Sequence, residues 1–326
     1  MQRTGKSTYI VSLPKNWATK NGVCAGSIIF ITQSDNGALM LSTDRSERDL
    51  KAKLEIGDKS GEVLIRDIIG CYLGGYRTIE VTSSHISLEQ KRDLRQIVNK
   101  LIGPEILEET ISKVVIQDLL SSEELQAQQA LKRIKTVVKS MIQDSLTALI
   151  NCDKDLAEDV IQRDNDVDRL NLLISRQFTE ILRSGSVKQE MLSSITAFNY
   201  MLAASNLERA ADHAHRIADI AYHCDVCSNE KFPDELSRLK SEFEGLVDDS
   251  ITFLLQMDSE RANELIEKIK IIQNRVQSLT NLGIINRESE IRVVTSSIER
   301  ISDYIMNICE LTINLRHATA DIAKVL

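Results

Sequence analysis

Long hydrophobic runs, aromatic side chains and proline are all scarce in this sequence. Aromatic residues make up 4% of the 326 residues, only three residues are proline, and no apolar run is long enough to cross a bilayer. The first residues lack the pattern of a signal peptide. Six cysteines spread over this length do not form a disulfide framework. We therefore expect a cytoplasmic, helix-rich protein without membrane insertion.

Acidic side chains outnumber basic ones, except at one end of the chain. The formal net charge is −8 at pH 7, which argues against wholesale coating of nucleic acid. Residues 1–45 nevertheless carry five basic and two acidic side chains, a net charge of +3. The first segment therefore requires its own interpretation.

Short strands and turn residues characterise residues 1–45. Three segments alternate as β-strands and one suits a short helix: the strands are Ser7–Leu13, Ser27–Gln33 and Ala38–Ser42, and the helix is Lys15–Asn21. A Ser-Asp-Asn-Gly turn joins the last two strands into a hairpin. About 45 residues cannot bury a core alone, so we expect a homodimer.

The order of these elements resembles the AbrB/SpoVT swapped-hairpin domain. The matching residues are Gly5, Lys6, Ser7, Leu13, Pro14, Lys15, Trp17, Gly22, Gly26 and Gly37. The resemblance implies an interleaved dimer that contacts DNA through basic side chains, which in this sequence are Arg3, Lys6, Lys15 and Lys20. Alternatively, the segment only dimerises and its lysines are solvated.

Strands and helices alternate in residues 46–123. The predicted strands are Lys51–Ile56, Arg77–Thr82 and Lys113–Asp118, and the predicted helices are Glu62–Leu73 and Ser87–Leu101. This order favours a small two-layer α/β domain. It contains no phosphate loop and no nucleophile–base pair, so we interpret it as a spacer or a dimer interface.

Apolar residues recur at helical spacing throughout residues 124–326. Turn residues delimit six predicted helices: 124–151, 154–184, 189–223, 233–256, 258–281 and 286–322. We expect two antiparallel three-helix bundles, 124–226 and 230–326. The predicted fold class is mainly α with an α+β N-terminal part: a swapped-hairpin β domain, a small α/β domain and two tandem three-helix bundles.

Pairs of acidic residues four positions apart recur in the helical half. Glu208 and Asp212 rise from one face of a predicted helix, flanked by small apolar residues. Glu299 and Asp303 follow them at an offset of 91 residues, and neighbouring residues match at the same offset. This repetition indicates an internal duplication.

A further pair, Asp164 and Asp168, falls on or beside the apolar stripe of the second helix. Acidic residues at such positions are costly unless they are paired or bind metal. In the second repeat the corresponding positions hold Ile269 and Gln273, at an offset of 105 residues. The first site is therefore expected to be complete and the second reduced.

Oxygen ligands from several carboxylates favour iron, manganese or magnesium. The competing interpretation is that the acids pair with neighbouring arginines, namely Arg163, Arg169, Arg209 and Arg216. Helical geometry directs His213 and His215 to faces other than that of Glu208, so neither is assigned as a ligand.

Three segments of the helical half resemble the PhoU family: residues 157–170, 206–219 and 297–304. The resemblance implies iron or zinc clusters held by Asp164, Asp168, Glu208, Asp212, Glu299 and Asp303. It also implies a role in phosphate homeostasis, restraining a phosphate ABC transporter and its signalling. An AbrB-like segment ahead of a PhoU-like half looks like an archaeal arrangement.

The expected function is a homodimeric phosphate-homeostasis regulator that binds metal and also binds DNA as a transcription regulator. The alternative is a regulator that docks on a phosphate ABC transporter and uses its first domain only to dimerise. A hydrolytic metalloenzyme is disfavoured because no complementary base or substrate-fixing motif is found, and no catalytic residue is assigned. Cys224 and Cys227 offer two thiolates, half of a zinc site that two chains of a dimer could complete, but a loop or a redox-inert pair is the favoured interpretation.

Overall fold

The computed structural model describes residues 2–4, 8–33, 38–43, 50–120, 127–184, 194–223, 231–279 and 288–320. The chain divides into two compact units, one dominated by Met1–Asp49 and the other beginning at Leu50. The predicted fold class is confirmed, with small N-terminal sheets followed by helical bundles. The predicted domain boundaries at residues 45 and 123 stay predictions.

The first unit consists of two antiparallel hairpins and a short helix. Its elements are β1 (Gln2–Thr4), β2 (Thr8–Ile10), α1 (Lys15–Lys20), β3 (Phe30–Gln33) and β4 (Leu39–Ser42). Strand β1 pairs with β2, and β3 pairs with β4. The predicted strands are thus confirmed, although shorter, while the predicted hairpin turn at residues 34–37 lies outside the described residues.

The second unit begins with a four-stranded mixed sheet and two helices. In chain order these are β5 (Lys51–Glu55), α2 (Gly61–Leu73), β6 (Thr78–Thr82), α3 (Leu88–Lys100), β7 (Pro104–Glu109) and β8 (Lys113–Asp118). The strand order is β5-β6-β8-β7, and only β5 and β6 run parallel. The Ser87 side chain caps α3 in a reciprocal arrangement with Gln90.

Strand β7 is an addition to the predicted α/β order. It begins at Pro104 and carries three glutamates, Glu105, Glu108 and Glu109, which β-propensity disfavours. These residues are tolerated because β7 lies at the edge of the sheet, where proline and charged side chains are common.

Long helices make up the remainder of the second unit. They are α4 (Ala127–Asn151), α5 (Lys154–Ser184), α6 (Ser194–His223), α7 (Lys231–Phe243), α8 (Leu246–Gln256), α9 (Ser259–Leu279) and α10 (Glu288–Ala320). A continuous apolar core runs through both predicted bundles. Within the described residues, no helix combines the length and hydropathy needed to span a membrane.

The prediction of one unbroken helix over residues 233–256 is wrong. Helices α7 and α8 are separated at Gly245, whose backbone adopts φ +90°. This left-handed conformation is readily accessible to glycine and interrupts the helical hydrogen-bond ladder. Periodicity missed the break because the apolar spacing continues across it.

The side chain of Arg176 on α5 joins the α/β region to the helices. It is 2% exposed and forms an ion pair with Asp118 at 2.7 Å. It also donates hydrogen bonds to the carbonyl oxygens of Tyr72 and Tyr76, both at 3.2 Å. Helix α5, which carries Asp164 and Asp168, is therefore anchored along its C-terminal half.

Candidate metal site

Helix α6 presents Glu208 and Asp212 beside its buried apolar stripe. That stripe is formed by small and branched side chains: Ala203, Ala204, Leu207, Ala210, Ala211, Ala214, Ile217 and Ala218. Both carboxylates are half-buried at its edge. The i, i+4 spacing places them one helical turn apart on the side of α6 that faces α5.

The structure brings these two acids together with the Asp164–Asp168 pair of α5. Burial and the charges of Asp164 and Asp212 raise the pKa of Asp168 to about 6. Burial and the charges of Asp212, Asp168 and Asp164 raise the pKa of Glu208 to about 7, although the Arg209 charge opposes the shift. Burial and the charge of Asp164 also raise the pKa of Asp212. Four mutually repelling carboxylates thus share one site.

The arginines that could have neutralised this site make their contacts elsewhere or form no ion pair with it. Arg163 forms an ion pair with Asp144 at 2.8 Å and donates a hydrogen bond to Ser140 at 2.7 Å. Among the described acids, Arg169 approaches only Asp166, at 3.9 Å. In the described part of the chain, Arg209 and Arg216 form no ion pair with any of the four acids, so the competing arginine interpretation has no direct contact to support it.

His215 faces the site, contrary to the prediction that its helix face differs from that of Glu208. Its Nδ1 lies 3.0 Å from Oδ2 of Asp164. His215 follows Glu208 by seven positions, which is nearly two full turns, so its side chain returns to the same face. This spacing was the signal that could have identified it. No described residue engages its other ring nitrogen, so His215 is a further candidate ligand or orienting group.

The second repeat has Ile269 and Gln273 where the first has Asp164 and Asp168, and a reduced metal site there stays a prediction. Gln273 of α9 donates a hydrogen bond to Oδ1 of Asp303 at 2.8 Å. Ile269 is fully buried in the core. Asp303 also lies 3.6 Å from Arg300, while Glu299 on the same helix is partly exposed.

The donor set of the first site suits a metal ion, although its side chains are not arranged as a formed coordination shell. Among the described residues, no three Asp, Glu, His or Cys side chains are positioned to hold an ion as they stand. The four carboxylates nevertheless offer only oxygen atoms, and three of them carry raised pKa values. A shared cation would require these partly exposed side chains to turn toward one another.

The residues predicted to contact DNA are only partly described. Lys15 and Lys20 are exposed on α1, and Arg3 lies in β1 opposite Tyr9. Lys6 lies outside the described residues, as do Cys224 and Cys227.

The two three-helix bundles are repeats of each other and carry acidic pairs at equivalent positions. A duplicated bundle of this kind, with a candidate metal site in each repeat, defines a class of helical proteins. A family model described as "PhoU domain" matches residues 131–221 and 236–312, more than half of the chain. The chain belongs to the PhoU family. A second model, described as "Antidote-toxin recognition MazE, bacterial antitoxin", matches residues 2–49, in agreement with the predicted AbrB-like segment.

Two relatives illustrate the extent of the match. The phosphate-specific transport system accessory protein PhoU homolog of Clostridium acetobutylicum is 25% identical over 198 residues, covering 57% of this chain and 88% of the relative. An uncharacterized protein of Methanocaldococcus jannaschii is 24% identical over 241 residues, covering 68% of this chain and 80% of the relative. The second match is longer than the helical half, so it extends beyond the PhoU-like part.

Two crystal structures share the fold of the helical half. PhoU from Pseudomonas aeruginosa superposes with a TM-score of 0.53 at 22% identity, covering 59% of this chain and 96% of that protein. The phosphate transport system regulatory protein PhoU from Streptococcus pneumoniae gives a TM-score of 0.51 at 20% identity, covering 59% of this chain and 94% of that protein. At these identities the likeness establishes the fold.

Proposed function

We propose that this protein is an accessory regulator of phosphate transport that binds metal ions through its helical bundles. The transport role is supported by relatives whose names describe accessory proteins of a phosphate-specific transport system. The metal role is supported by one observation: Asp164, Asp168, Glu208 and Asp212 share a site, and no arginine or lysine of the described chain forms an ion pair with them.

A bound cation would relieve the repulsion that raises the pKa values at this site. The proposed ligands of the first site are the four carboxylates on α5 and α6, with His215 beside them. The proposed ligands of the second site are Glu299 and Asp303. With only these two protein ligands, more coordination positions of the metal remain for water or for a partner protein. Iron or zinc is the proposed metal, and carboxylates that bridge neighbouring ions would suit a cluster. The metal would hold α5 and α6 together and present a fixed surface to a transporter subunit.

Metal content tests this proposal directly. The protein is equilibrated with iron(II) or zinc, desalted and analysed by elemental mass spectrometry. We expect D168N to lower the bound metal at least two-fold. D166N is the matched control, because Asp166 lies two positions from both Asp164 and Asp168 and therefore projects from the opposite side of the helix, where it lies 3.9 Å from Arg169. Equal metal content in the wild type and D168N, or no bound metal in either, would contradict a site at these carboxylates.

A second role follows from the exposed apolar side chains in the described part of the first unit. None of the side chains whose burial is described there is buried, and six large apolar side chains are exposed: Ile10, Val11, Ile28, Ile31, Leu39 and Met40. Isolated two-stranded hairpins are not stable in water. We propose that a second copy of the chain covers these residues in a homodimer, which also places two sets of basic side chains together.

DNA binding is proposed for this dimer through Arg3, Lys6, Lys15 and Lys20. The test is fluorescence anisotropy with duplex DNA from the protein's own upstream region and from phosphate-transporter promoters, at several salt concentrations. Changing Lys15 and Lys20 to Ala in each protomer should weaken binding and flatten its salt dependence, because fewer phosphates are neutralised. The control changes Lys51 and Lys53, which are exposed on β5. Equal binding by both variants would leave the alternative, a dimerising domain without a DNA role.

A further inference from the structure

The face of α6 that meets α10 carries positive and aromatic side chains instead of carboxylates. We call it the arginine strip: Arg209, His213 and Arg216 of α6 with Arg300 and Tyr304 of α10. Arg209, His213 and Arg216 are spaced so that they share one side of the helix. That side lies about a quarter turn away from Glu208 and Asp212.

Contacts between the two helices place the strip around a pair of rings. The His213 and Tyr304 rings lie 5.9 Å apart, and the guanidinium carbon of Arg209 lies 6.0 Å from the centre of the Tyr304 ring. The Nδ1 atom of His213 lies 3.3 Å from Oγ of Ser297. Arg216 follows His213 by three positions on α6, and Arg300 precedes Tyr304 by four positions on α10, so each arginine lies one helical turn from the ring of its own helix.

None of the three guanidinium groups is held in a close ion pair by a described residue, although the charges of Arg209 and Arg216 reach the neighbouring carboxylate of Asp212. Arg209 and Arg216 are exposed and make no ion pair with any described residue. Arg300 has one long contact within the described chain, 3.6 Å to Asp303 on its own helix. Three like charges around one pair of rings repel each other, and an anion held between them would remove that repulsion. The planar donors of arginine match the oxygen atoms of a phosphate group in pairs.

We propose that the arginine strip binds a compact tetrahedral oxyanion of the phosphate class. Carboxylates flank the strip on both sides, Glu208 and Asp212 on one and Glu299 and Asp303 on the other. An extended acidic surface laid across α6 and α10 would be repelled by these carboxylates, whereas a small anion would contact only the arginines beside the His213 and Tyr304 rings. The inference goes beyond the proposed function and does not depend on it, because no proposed metal ligand or DNA contact belongs to the strip.

Calorimetric titration of the full-length, chelator-treated protein with inorganic phosphate tests the proposal. Chloride keeps the ionic strength constant, and circular dichroism verifies that each variant is folded. We expect a dissociation constant on the order of 1 mM or tighter for the wild type at low ionic strength. The double variant R209Q/R300Q should bind at least about ten-fold more weakly, because it removes one arginine from each side of the ring pair.

The matched control is R238Q/R316Q, which removes the same charge from exposed positions outside the strip. It should bind phosphate within about two-fold of the wild type. Equal weakening in the control would show that only the overall charge matters and would overturn the site. Undetectable phosphate binding by the wild type, or equal binding by R209Q/R300Q, would overturn it as well. None of these results bears on the metal proposal, which the metal content decides separately.

Discussion

His213 and Tyr304 face each other across the seam between α6 and α10 and are also equivalent positions of the internal repeat, 91 residues apart. A residue that contacts its own equivalent lies on the axis that relates the two copies. The surrounding contacts obey the same symmetry. Arg209 lies over Tyr304, and its equivalent Arg300 acts on His213. The duplication inferred from the sequence is therefore visible as a pseudo-two-fold packing of the bundles.

Replacing Tyr304 with Ala should weaken this seam. Tyr304 is partly buried, so the loss of its ring contacts should lower the free energy of unfolding by about 1–2 kcal/mol. The Y304F variant keeps the ring and should differ from the wild type by less than about 0.5 kcal/mol. Urea denaturation followed by circular dichroism measures both. A loss in Y304F as large as that in Y304A would mean that the hydroxyl, and not the ring, holds the seam.

Residue spacing was sufficient to predict the helices and the acidic pairs. Turn residues marked most helix ends, and the common 91-residue offset predicted that the second repeat would resemble the first. The hydrogen bond from Gln273 to Asp303 agrees with the alignment that placed Gln273 at the position of Asp168. These features are local or repeated, so a single chain contains enough information to find them.

Other features depend on tertiary packing, which the spacing of residue types in the sequence does not reveal. The Arg176–Asp118 ion pair joins residues far apart in the sequence, and nothing near either residue indicates its partner. Strand β7 is held by its neighbour β8 despite a composition that disfavours strands. The Gly245 break is determined by backbone conformation, to which apolar periodicity is insensitive.

The R176A variant should be strongly destabilised. It leaves Asp118, whose side chain is 8% exposed, without its cation and removes donors from two carbonyl groups. We expect a loss of about 3–5 kcal/mol in the free energy of unfolding, measured by urea denaturation. The control is R183A on the same helix, because Arg183 is exposed and only approaches the Tyr76 ring, at 5.5 Å. Its loss should stay below about 1 kcal/mol, and similar losses in the two variants would contradict an anchoring role for Arg176.

Metal-free protein should lose stability as the pH rises. The pKa values of Asp168 and Glu208 in the folded state are about 6 and about 7, above the ordinary value of about 4 for such groups. The folded state therefore binds protons more tightly than the unfolded chain, and the stabilisation from protonation is complete below about pH 4. It is lost as the pH rises through about 6 to 7.

Melting temperatures of chelator-treated protein between about pH 5 and pH 8 measure this effect. The melting temperature of the D168N/E208Q variant should fall less steeply than that of the wild type over this range, because the introduced amide side chains do not titrate. The D166N variant should keep the wild-type slope, since Asp166 is exposed. A slope in D168N/E208Q equal to that of the wild type would show that these carboxyl groups do not control the pH dependence.

Replacing Gln273 with Asp should make the acidic site of the second repeat more similar to that of the first. In the Q273D variant a carboxylate replaces the amide that donates to Asp303, so two negative charges meet where a hydrogen bond existed. We expect the metal-free variant to melt at a lower temperature than the wild type. A loss of about 1–3 kcal/mol is typical when a partly buried acceptor loses its donor.

Added metal should reverse this loss, because a cation between the introduced carboxylate and Asp303 would replace the missing hydrogen bond. Bound metal per chain, measured by elemental mass spectrometry, should then rise above the wild-type value. The Q273E variant tests whether the position of the introduced carboxylate matters, because its longer side chain carries the same charge at a different place. Destabilisation of Q273D that persists in excess iron(II) or zinc, with no increase in bound metal, would show that the second repeat has lost more than one ligand. The buried methyl groups of Ile269, which stands where the first repeat has Asp164, would then be the reason.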